Sequence, residues 1–122
     1  LQTANKQVIL STLVLIMNKR EMEAIRSITA PDNSDDSGIL IEANDISATA
    51  LLKGRAHTIG PFVNIYNEGT LDYVARNGAK SVCLPVELGL DAIRSLVPAS
   101  KAQLEVFAFG RLPLVNTGRL EA

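Results

Sequence analysis

The stretch Gly60 to Asn67, GPFVNIYN, runs directly into EGTLDYVARNGAKSVCLPVEL at 68–88, and the fold turns on how the two are read. Thr58 to Tyr66 alternates like a buried strand, yet it leads through Asn64 to Asn67, a residue type with poor strand propensity. Helical spacing follows. LDYVAR opens after Asn67 or Thr70, either of which is a suitable N-cap, and stops at Asn77-Gly78, a favourable helix terminus. A second apolar strand, Ser81 to Pro85, comes next. Strand, helix and strand in this order form the right-handed unit of a parallel sheet.

The same pattern extends in both directions. Apolar β-rich segments recur at Gln7 to Thr12, Gly38 to Ala43 and Gln103 to Phe109. Asn18 as N-cap, with Glu21 three residues on, opens a helix through Met22, Ile25 and Ile28, which the loop PDNSDDSG at 31–38 ends. Asn44 or Asp45 caps ISATALLK, which stops at Gly54. The last helix, GLDAIRSLV, aligns Leu90, Ile93, Leu96 and Val97 and stops before Pro98. The fold class is therefore α/β: consecutive βα units forming a parallel sheet of about five strands. The near-continuous apolar runs QVIL and GILI suit strands covered on both faces. A complete eight-stranded barrel takes roughly 250 residues, so residues 1–122 read as one partial domain, an arc of a TIM-like barrel.

Composition narrows the function classes. With 47% hydrophobic residues the chain can build a core, and a net charge of −1 from 12 basic and 13 acidic residues offers no field for nucleic acid. The single cysteine, Cys83, excludes an internal disulfide and alone holds neither a structural zinc nor an iron–sulfur cluster. One cysteine fits a reducing, cytoplasmic setting. The longest apolar run, Val8 to Met17, contains Ser11 and Thr12 and is too short to span a bilayer. Leu1 is not an initiator methionine, so no signal peptide can be read from this start.

In a parallel α/β sheet the active surface lies where strands pass into loops at their carboxyl ends. Polar residues collect there: Ser11 and Thr12, then Glu42, Asn44 and Asp45, then Asn64 and Asn67, then Glu87, and Arg111 after the last strand. Carboxylates, amides and one guanidinium on one rim suit the orientation of a polar or aromatic small molecule. Each also has a structural reading. Asn44, Asp45 and Asn67 sit where N-caps belong. Glu42 within an apolar strand needs a partner, with Arg111 or a lysine as the available cations. Asn64 alternates with Val63 and Ile65 and can face the barrel interior, Glu87 can be a loop residue, and Arg111 can cover a strand end. His57 reads as surface ahead of the third strand, and Cys83, between Val82 and Leu84, as a small buried hydrophobe. No nucleophile elbow, paired-cysteine motif, phosphate-binding glycine loop or metal-binding histidine pair is present.

Five stretches, VILST, ILIEANDISA, GPFVNIYNEGTLDYVARNGAKSV, LPVEL and EVFAFGRLPL, in this order and spacing resemble the collagenase-like peptidase family, peptidase family U32. EAND, NIYN and FAFGRLPL resemble most its ubiquinone-biosynthesis branch, the UbiV-type proteins. The peptidase branch usually carries a histidine before the glycine of the last motif, where this chain has Phe109. The resemblance covers nearly all of the chain but only the middle of the family's barrel.

That resemblance implies support of oxygen-independent hydroxylation of an aromatic ubiquinone precursor, alongside a sister protein of the same family. It also implies a four-iron four-sulfur cluster held by four cysteines in full-length relatives. This chain departs from that set: a cluster cysteine follows the FGRLPL segment in the family, whereas NTGRLEA has Leu120 after Arg119. No metal site is expected in the chain itself. The alternatives are a non-catalytic relative acting as a binding or assembly module through self-association, since an open sheet edge attracts a partner, and a peptidase.

Overall fold

A computed structural model describes residues 2–30 and 38–112. Five strands, β1 (Val8–Ser11), β2 (Ile39–Ala43), β3 (His57–Ile59), β4 (Ala79–Cys83) and β5 (Gln103–Glu105), form one sheet in sequence order. Every neighbouring pair is parallel. Four helices fill the gaps: α1 (Lys19–Ile28), α2 (Ile46–Leu51), α3 (Glu68–Arg76) and α4 (Leu90–Leu96). The expected α/β arc of consecutive βα units is thus the architecture of the described residues. The loop 31–37 and the tail from residue 113, with most of the NTGRLEA comparison, lie outside the described residues.

The helix starts follow from short polar side chains. Asn18 accepts from the Glu21 N–H at 3.0 Å, and the Glu21 carboxylate reaches back to the N–H of Met17 at 2.6 Å. That is the capping-box logic displaced by one residue. Asp45 accepts from the Ser47 N–H at 2.8 Å, and Asn67 from the Thr70 N–H at 2.9 Å. α3 ends at Asn77, and Gly78 follows with φ of +108. A side chain there would strain the backbone and bring its Cβ within 2.3 Å of the Arg55 carbonyl.

Alternation divides the sheet into two unlike faces. Ile41, Ala43, Ile59 and Val82 pack against Ile25, Ala48, Leu52, Leu71 and Val74 of the helices, and this cluster is the core. The helices thus cover one face of the sheet. No helix among the described residues is long and apolar enough to cross a membrane.

Two expectations need correction. The third strand stops at Ile59 instead of running to Tyr66, because Pro61 has no N–H to extend the ladder. The last ladder-like bond is Gly60 N–H to the Ala43 carbonyl, 2.8 Å. Likewise β5 ends at Glu105, not Phe109. His57, read as surface, is instead fully buried in β3, with Nδ1 2.7 Å from the Arg55 carbonyl. That contact places the ring proton on Nδ1 and leaves Nε2 without a partner among the described residues.

Burial lowers the His57 pKa below 6.5, with the hydrogen bond to the Arg55 backbone opposing and the Arg55 charge adding to the fall. The unfolded chain therefore takes up the proton first, and stability is full above about pH 6.5 and lost as pH falls below it. Urea midpoints measured from about pH 8 down to about pH 5 should decline, and the decline should flatten in His57→Gln.

Candidate functional site

At the carboxyl ends of β1 and β2 the polar residues form one connected bracket. Ser11 lies opposite Glu42 in register, and its Oγ donates to Glu42 Oε1 at 2.9 Å. Asn44, the residue after β2, donates from Nδ2 to the same oxygen at 2.9 Å and to the Thr12 carbonyl at 3.3 Å. Its main-chain N–H donates to Thr12 Oγ1 at 3.0 Å, and the Thr12 N–H donates to the Glu42 carbonyl at 2.9 Å. Glu42 is half-buried and is held by two neutral donors, not by Arg111 or a lysine. The ion pairs among the described residues join Asp72 to Arg76 and Lys101, and Asp91 to Arg94.

Gly60 makes this bracket possible through space and not through a special φ. A Cβ built there would lie 1.8 Å from Asn44 Oδ1, so the Asn44 amide occupies the volume that any other residue would claim. Both amide hydrogens of Asn44 are engaged, which leaves Oδ1 buried and without a partner among the described residues.

Beside this bracket lies a cleft of about 360 Å³. Val14, Ile46, Phe62, Val63, Ile65, Tyr73 and Val74 supply its apolar wall, and Asn44, Asp45, Asn64 and Thr70 its polar groups. Asn64 does not face the barrel interior: with β3 ended at Ile59 it belongs to the following loop, exposed between buried Val63 and Ile65, on the cleft.

Asn67 turns away to its helix, accepting from Thr70 N–H and from Thr70 Oγ1 at 3.1 Å. Glu87 is exposed and accepts from the Tyr66 hydroxyl at 3.4 Å. Lost hydration raises the Tyr66 pKa, and the Glu87 charge and hydrogen bond raise it further. Arg111 is exposed, well past the end of β5, and makes no ion pair among the described residues. The structure therefore joins Glu42 and Asn44 directly, adds Asn64 across the cleft, and keeps Asn67, Glu87 and Arg111 in separate settings.

The face of the sheet opposite the helices was missed from sequence. Register aligns Ser11, Glu42, Thr58, Ser81 and Gln103, with Cys83 beside Glu105 one step further on. Cys83 is half-buried there and is not a core hydrophobe. Burial pushes its thiol pKa up, and the charges of Glu105 and Glu42 push it further, so it stays protonated at neutral pH. The alternation in SVC and QLE carried this signal, but strands this short hide it.

The sequence model of peptidase family U32 matches residues 1–120. The chain belongs to this family. No solved structure matches it. The four-cysteine cluster implied for full-length relatives does not fit this U32 chain: its one thiol is on β4, and no three metal-binding side chains converge among the described residues.

Gly60→Ala should destabilise the chain by about 1–3 kcal/mol through overpacking against Asn44. In chemical denaturation the double variant Gly60→Ala with Asn44→Ala should lose less than the sum of the two single changes.

Proposed function

We propose that this arc orients an aromatic small molecule at the carboxyl ends of its strands, as part of a UbiV-type protein supporting oxygen-independent hydroxylation in ubiquinone biosynthesis. The observation that carries the reading is the cleft: an apolar wall containing Phe62 beside an Asn44 fixed by Glu42 and Thr12. Its volume falls within the range of small-molecule sites, which pair apolar walls with a few placed polar groups. A ring lies against Phe62, and its polar substituents meet the Asn64 amide, which has no side-chain hydrogen bond among the described residues. Glu42 positions Asn44, and the half-buried carboxylate sets the local polarity. The redox step belongs to groups that this U32 chain does not supply.

A second reading, a binding or assembly module working through self-association or a sister protein, draws on the sheet edges. Ile9 and Leu10 on β1 are exposed, as are Val106, Phe107 and Phe109 after β5. Open edges with exposed apolar side chains favour pairing with another chain.

The test places Phe62→Ala and Asn64→Ala in the native polypeptide and measures hydroxylated precursor under anaerobic conditions. Each should lower product formation roughly tenfold, as for one lost packing or hydrogen-bond contact, with an unchanged circular-dichroism spectrum. Unchanged product formation rejects the cleft as the substrate site. A stable oligomer with no dependence on either residue supports the assembly reading, and casein cleavage that depends on Glu42 and Glu87 supports the peptidase one.

A further inference from the structure

The sheet face turned away from the helices has a chemistry that the cleft does not use. Across all five strands, Ser11, Glu42, Thr58, Ser81 and Gln103 stand side by side. Cys83 and Glu105 stand one step nearer the carboxyl ends. Acceptors dominate this row. Glu42 and Glu105 are both carboxylates, and neither makes an ion pair among the described residues.

Two buried oxygens add to the imbalance. Thr58 is 6% exposed and its Oγ1 has no partner among the described residues, although register places it between Glu42 and Ser81. Asn44 is 4% exposed, and because both its amide hydrogens are engaged, its orphan Oδ1 can only accept. Buried polar atoms ordinarily find a partner, and an orphan is costly. The partner that fits this set must bring N–H donors and positive charge.

A single metal ion is a poor match. No three metal-binding side chains converge among the described residues, and Glu42 and Glu105 lie on strands separated by β3 and β4. Acceptors distributed along a row suit a longer molecule with separated donors. Both carboxylates nonetheless act on one place, since the Cys83 thiol between them feels both charges.

We propose that this face binds an organic cation with two primary ammonium groups, one held by Glu42 with the Asn44 and Thr58 oxygens and the other by Glu105. Charge-assisted N–H bonds to carboxylates supply the affinity, and the neutral hydroxyls of Ser11 and Ser81 line the path between them. The site is distinct from the aromatic cleft and shares only Asn44 with it.

The probe is putrescine, titrated by calorimetry into the native polypeptide at low ionic strength. Saturable binding is expected, weakened roughly tenfold by Glu42→Gln and by Glu105→Gln, each of which removes one charge-assisted contact. Butanediol, of the same length but uncharged, should not compete. Phe62→Ala should leave putrescine binding unchanged, which separates this site from the cleft: loss of one leaves the other standing. Glu105 is exposed, so Glu105→Gln keeps the fold and the test intact if Glu42→Gln unfolds. Binding that survives both substitutions, absence of saturable binding, or binding of magnesium in place of the diamine overturns the proposal.

Discussion

The arrangement of the site depends on one buried amide. Asn44 ties the end of β2 to the end of β1 through the hydroxyl and carbonyl of Thr12, and ties both to the Glu42 carboxylate. Its side chain fits only because Gly60, where the chain leaves β3, carries no Cβ. Three strand ends are thereby fixed relative to one another by a residue that is itself 4% exposed. In a parallel sheet the loops at these ends carry function, and loops position side chains well only when a rigid frame anchors them. Asn44 supplies that anchorage where Phe62 and Asn64 leave the frame.

The two faces of the sheet then take different work. The helix-covered face holds Ile41, Ala43, Ile59 and Val82 in the core and supplies stability. The opposite face is rich in hydroxyls and carboxylates, and its short β3 sets Thr58 between Glu42 and Ser81. Such a face contributes little to hydrophobic stabilisation, so its composition points to binding rather than to packing. Membership in peptidase family U32 fixes the family over residues 1–120, and the aromatic cleft and the acceptor row are where the chemistry of this chain is concentrated.

Much of this was legible in the residues. Asn18, Asp45 and Asn67 cap their helices as their types and positions imply, because capping is a local interaction within a few residues. The order of strands and helices was equally readable, since it follows from periodicity. The failures were tertiary. The alternation of Val63, Asn64 and Ile65 continued past the true end of β3, and the weight given to it hid the effect of Pro61 on the ladder. His57 looked like linker because nothing local reveals that α/β packing closes over it. Arg111 was placed at a strand end only because β5 was drawn too long. The fit of Asn44 over Gly60 joins positions from different loops, and no local pattern records it.

The most direct test is hydrogen exchange of the side-chain amide protons by nuclear magnetic resonance, with Asn64 as the internal reference. The bracket requires the Asn44 Nδ2 protons, engaged by Glu42 Oε1 and the Thr12 carbonyl, to exchange far more slowly than those of exposed Asn64. Equal exchange at the two amides would contradict the account, because strand ends not held by Asn44 would leave the cleft without its frame.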